Sequence, residues 1–155
     1  MKALYFDCSS GISGNMTLGA LTEIIGDENY LLNELKKLNV DGYQIEISKK
    51  VKNGITGTYV DVILEHEHHH HHEHRNLEDI NKIIDNSLLD EKVKDLSKRI
   101  FMRVANAESK VHNKPLDEIH FHEVGAIDSI VDIVGTAILI NKINPDKIIS
   151  SVVND

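Results

Sequence analysis

The chain has 155 residues, 41% of them hydrophobic and 27% charged, enough for one domain with a real core or for a piece of something larger. Its formal charge of −8 comes with no basic stripe to neutralise phosphates, which disfavours nucleic acid and anionic membrane surfaces as partners. No apolar run approaches the ~20 residues that cross a bilayer, no signal peptide precedes the first strand, and the lone Cys8 excludes an internal disulfide, so a reducing cytoplasm is the expected setting.

"KALYFD" reads as a short apolar strand and "CSSGISGN" as a Gly- and Ser-rich loop. "MTLGALTEIIG" follows as a helix with Leu18, Leu21, Ile24 and Ile25 on its apolar side and Gly26 as its stop. Asp27 caps a second helix built on Leu31, Leu32, Leu35 and Leu38. "YQIEISKKV" and "GTYVDVILE" alternate apolar and polar residues around Asn53-Gly54, a strong hairpin signal. A mobile histidine run is expected next, and then the short helix "NLEDINKIIDNSLL". A long helix follows, whose repeat is Val93, Leu96, Ile100, Val104, Ala107 and Val111; Pro115 breaks it. "DEIHFHEVG" is extended or turning, "AIDSIVDIVGTAILINKI" is a core helix, and "DKIISSVVN" is a last short strand. The order predicts a single α/β domain over 1–155, with α+β as the alternative: a small mixed sheet packed with about five helices.

Three stretches carry candidate chemistry. Residues 66–74, "HEHHHHHEH", hold seven of the ten histidines: His66, His68, His69, His70, His71, His72 and His74. An internal position between two folded segments, with Glu67 and Glu73 inside the run, argues against a purification tag. Imidazoles with carboxylates suit nickel, zinc, copper or cobalt in several interchangeable chelates; a solvated loop without a task is the bland alternative. In "IHFHEVGAIDSIVDIVG", an extended backbone points His120 and His122 one way, while Asp128 and Asp132 share a helix face with Glu123 between the pairs. Those five could form an ordered nitrogen and oxygen metal site, or else cap the helix and make buried hydrogen bonds. In "DCSSGISGN", backbone amides from Gly11 through Gly14 to Asn15, with Asp7, Ser10 and Ser13, suit an anion such as phosphate or sulfate. A tight turn with hydroxyl caps explains the same residues, and Cys8 reads as a buried thiol before a nucleophile.

Taken together, "YFDCSSGISGNM", the "GITGTYVDV" hairpin, the His-rich insertion and above all "IHFHEVGAIDSIVDIVG" resemble the nickel-insertion proteins of the nickel-pincer nucleotide pathway, the LarC family. The likeness runs the length of the chain, which matches the N-terminal part and ends short of the family's C-terminal part. Two positions depart from the family pattern: Asn15, where an aspartate is usual, and Ser9, where an aromatic is usual. The resemblance implies a chelatase of the lyase type. It would insert Ni(2+) into pyridinium bisthiocarboxylic acid mononucleotide, making the cofactor of lactate racemase. It also implies CTP with Mg(2+) or Mn(2+), bound through the C-terminal part, and a homo-oligomer. Two other classes compete: a nickel store or chaperone without insertase chemistry, and an assembly module whose histidines are incidental.

Overall fold

The computed structural model describes residues 1–64, 75–119, 121 and 124–153. The elements run β1 (Ala3–Phe6), α1 (Gly14–Ile25), α2 (Glu28–Leu35), β2 (Tyr43–Lys52), β3 (Ile55–Leu64), α3 (Leu77–Asn86), α4 (Glu91–His112), α5 (Ile127–Ile143) and β4 (Lys147–Ser150). This is the expected α/β order. The strands form two pairs: β1 lies parallel to β4 with Leu4 opposite Ile148, and β2 lies antiparallel to β3 with Ile47 opposite Val60. Asn53 (φ 54°) and Gly54 (φ 79°) both take left-handed backbone, so the β2–β3 connection is the two-residue turn their sequence favours.

Helix starts follow their caps. Ser13 caps α1 by accepting from the Met16 amide, Asp27 caps α2 through Tyr30, and Asn76 and Asp79 exchange bonds in a capping box on α3. At the centre lies α5, with Ile130, Val131, Val134, Ala137, Ile138 and Leu139 buried and α1, α2, α4 and β3 packed around it. Two glycines let α1 close on its neighbours. A side chain on Gly135 of α5 would meet Leu18 at 2.9 Å, and one on Gly19 would meet the Thr58 carbonyl oxygen of β3 at 2.3 Å. Glu23 of α1 reinforces that second seat by accepting from the Thr58 amide at 2.8 Å.

Of the repeat expected on the long helix, Val93 is buried and Leu96 and Val104 pack against the core. Val93, Ser97, Phe101 and Ala105 go inward, while Ala107 is exposed and Val111 is 79% exposed. Phe101 packs on Phe121 at this face, and the small Ser97 and Ala105 are fully buried along with it. A pattern built only from aliphatics finds this side of the helix through Val93, Leu96 and Val104 but leaves out Ser97, Phe101 and Ala105.

Candidate functional site

The turn between β1 and α1 is held largely by its own atoms. Asp7 accepts from the Ser9 amide at 3.1 Å, and the Gly11 amide (φ 83°) donates to the Cys8 carbonyl at 3.1 Å. Cys8 is buried, as expected, and its amide donates to the Ser151 hydroxyl at 2.8 Å, tying the turn to the residue after β4. Ser13 spends its hydroxyl as the α1 cap. Ser10 lies exposed on the same turn.

The first turn of α1 sits directly on Asp132 of α5. A Cβ on Gly14 would fall 1.9 Å from Asp132 Oδ2 and 2.8 Å from its Cβ, so only glycine leaves the carboxylate its place. One residue on, Asn15 Nδ2 donates to Asp61 Oδ1 of β3 at 3.1 Å. Asp132 and Asp61 therefore both meet the first turn of α1, and Asp128 stands one turn before Asp132 on α5. Burial, then Asp128, then Asp61 push the Asp132 carboxyl up to about 6, and its Oδ1 is buried without a hydrogen-bond partner among the described residues. Asp128 turns its own Oδ1 to the Ser129 amide at 2.8 Å. Carboxylates beside the positive end of α1 favour a cation there over a second anion.

Asp132 also opens onto a cleft of about 370 Å³. Its walls are mostly apolar: Phe6, Ile12, Ile100, Ile133 and Val153, with Gly14 and Thr17 along one edge. It lies where β1 and β4 end, the usual place for a ligand in a parallel α/β arrangement.

The histidine-bearing stretches are known here only through the described residues that flank them in sequence. His120, His122 and Glu123 lie outside the described residues, as does the run from His66 to His74. What flanks them is defined. Phe121 is buried against Phe101 with ring centres 6.4 Å apart. The Phe121 amide donates to the Arg75 carbonyl at 3.1 Å, and the Arg75 guanidinium donates to the Gly125 carbonyl at 2.9 Å. Residue 75, which directly follows the run, is thus fastened to the segment that contains His120 and His122. At its other end the run leaves β3, the strand that carries Asp61. Among the described residues no three His, Cys, Asp or Glu side chains are grouped closely enough to hold a metal ion.

Sequence reasoning missed Asp61. It falls on the polar phase of the β3 alternation, and no periodicity connects it to Asn15, 46 positions away. Asn15→Asp tests the cluster. A fourth carboxylate in place of the amide donor faces Asp61 and raises Asp132 further. Stability should drop by about 1 kcal/mol at pH 7.5 and much less at pH 4, as read from denaturant melts. An equal loss at both pH values would mean that Asn15 matters only for shape.

The family model for the nickel insertion protein family matches residues 4–155. The chain is 54% identical over 160 residues to the pyridinium-3,5-bisthiocarboxylic acid mononucleotide nickel insertion protein of Acetivibrio thermocellus, covering 100% of this chain and 39% of that one. It is 54% identical over 160 residues to the protein of that name in Clostridium kluyveri (97% and 40% covered). Against the one in Clostridium acetobutylicum it is 49% identical over 181 residues (97% and 43% covered). The chain spans about two fifths of the length of these curated relatives. No solved structure matches it. The match over nearly the whole chain, with relatives at about half identity, places the chain in the nickel insertion protein family.

Proposed function

We propose that this chain takes part in inserting nickel into a pyridinium-3,5-bisthiocarboxylic acid mononucleotide, the activity in its relatives' names. The observation that carries this reading is the bond between the Phe121 amide and the Arg75 carbonyl. It joins Arg75, the residue after the histidine run, to Phe121, the residue between His120 and His122. In this reading, nickel gathered by imidazoles of residues 66–74 passes to ligands drawn from His120, His122, Glu123, Asp128 and Asp132. The buried oxygen of Asp132, without a partner among the described residues, fits a cation ligand, since an ionised carboxylate out of water needs a compensating charge.

The adjoining cleft suits the other substrate. Its apolar walls accept a flat ring, and Asp132 at its edge complements the positive charge of a pyridinium. Phosphate binding on the β1–α1 turn is part of the proposal, carried by the exposed Ser10, since the Gly11 amide and the Ser13 hydroxyl are engaged within the turn. Thiocarboxylate sulfurs are softer donors than carboxylate and imidazole, and in this reading they replace the protein's ligands on nickel. CTP, its Mg(2+) or Mn(2+), and lactate racemase as the user of the product come from the family resemblance. They belong to the portion of the family that this chain does not span, and no step is drawn through them.

The test is calorimetric titration of the metal-free chain with the mononucleotide, then with nickel. Insertion expects the mononucleotide to bind and Ile133→Glu to abolish its binding. A chain that binds nickel and ignores the mononucleotide is a metal store. Deleting residues 66–74 should remove most nickel equivalents near neutral pH and leave the melting temperature unchanged. Unchanged nickel stoichiometry in that variant would remove the run from the proposal.

A further inference from the structure

The β1–β4 pair is short of partners. It has four residues per strand, and among the described residues no third strand joins it. Parallel strands are stable in sheets covered on both faces, and two strands alone are marginal in water. Here one face is served: Leu4 is buried and Phe6 packs on the core. The other carries Tyr5 (58% exposed) and, opposite it in register, Ile149. All four residues of β4 are exposed, and Val152 beyond it is 81% exposed.

The backbone shows which edge is open. Lys147 and Ser151 donate their amides to the Lys2 and Phe6 carbonyls of the β1 side. By alternation, Ile149 also faces β1, and Ile148 and Ser150 turn their amides and carbonyls to the free edge. A bare edge flanked by exposed Ile148, Tyr5 and Val152 is a template for another strand.

We infer that the free edge of β4 and the outer face of the pair receive a strand from the portion of the family-length protein that this chain does not span. The relatives supply the reason for that occupant: each has about three fifths of its length outside the match, while the match itself reaches β4. A second copy of this chain is the weaker occupant, because a charge of −8 on each copy opposes close approach. Ser150 and Val153 line the cleft beside Asp132, so a strand on β4 also extends its wall. The inference concerns the sheet and stands whether or not nickel is the cargo.

Amide hydrogen exchange tests it, comparing this chain with the intact Acetivibrio thermocellus relative over the matching segments. In this chain the amides of Ile148 and Ser150 should exchange at least tenfold faster than their counterparts in the intact relative. The β2–β3 hairpin should exchange alike in both and serves as the control. Equal exchange at β4 overturns the proposal. Protection at β4 in this chain that grows with its concentration overturns it in favour of a second copy.

Discussion

Gly19→Ala should destabilise the chain by about 3 kcal/mol, the upper part of the usual range for overpacking. The added methyl lands 2.3 Å from the Thr58 carbonyl oxygen and 3.2 Å from its carbon. Those are backbone atoms of a paired strand, so no rotamer change relieves the contact, and either α1 or β3 must move. Helix propensity acts in the opposite direction, since alanine is better than glycine inside a helix by about 1 kcal/mol. The clash wins because it involves backbone. Gly57→Ala, on the same strand, is the control: nothing lies within 4 Å of its would-be Cβ, and its effect should be near zero. The expected pattern in urea is a lower midpoint for Gly19→Ala with the slope unchanged. If Gly19→Ala matched wild type, the close seat of α1 on β3 would be wrong. The functional consequence follows from geometry. Asn15 and Asp61 bridge that same interface, so displacing α1 pulls the carboxylate cluster apart before the core melts.

Much of the fold was readable because local signals agreed. Asn53-Gly54 demanded a tight hairpin turn, Asp27 and Ser13 demanded helix starts, and the apolar run after Ala126 could only be a buried helix. The closeness of the elements was less readable. Gly14, Gly19 and Gly135 look like weak helix residues in sequence, yet each marks a point where another element comes within contact. On α4 the aliphatic repeat reaches the core through Val93, Leu96 and Val104, while the buried Ser97 and Ala105 carry no hydrophobic signal large enough to be counted. At the site, Asp128 and Asp132 stood out as charges on a greasy helix. Asp61 did not, because a carboxylate on an alternating strand looks like any solvent-facing residue until Asn15 is seen beside it.

Asp132→Asn should make the protein more stable and less able to hold nickel. The folded chain keeps the Asp132 proton up to about pH 6, against an ordinary value of 3.8, chiefly because burial disfavours the charge and Asp128 and Asp61 add repulsion. A group raised in this way gives its full stabilising contribution below the unfolded value and loses it as pH climbs through the folded one. Wild type should therefore lose stability from Asp132 between about pH 4 and pH 6, and carry an uncompensated carboxylate above that. Asparagine has the same shape without the charge. At pH 7.5 the variant should gain roughly 1 kcal/mol, the figure kept low because water screens a half-buried side chain. Near pH 4 the two proteins should converge. Nickel reverses the order: it binds the ionised carboxylate, so saturating metal should stabilise wild type at pH 7.5 and leave the variant behind, with the gap closing as protons compete below pH 6. Denaturant melts across pH, each with and without nickel, read all of this in a chain lacking residues 66–74, which removes binding by the histidine run. A variant that loses stability at pH 7.5 would mean the carboxylate is already satisfied in the fold. Equal nickel stabilisation of both proteins would place the metal away from Asp132 and return the cluster to a purely structural role.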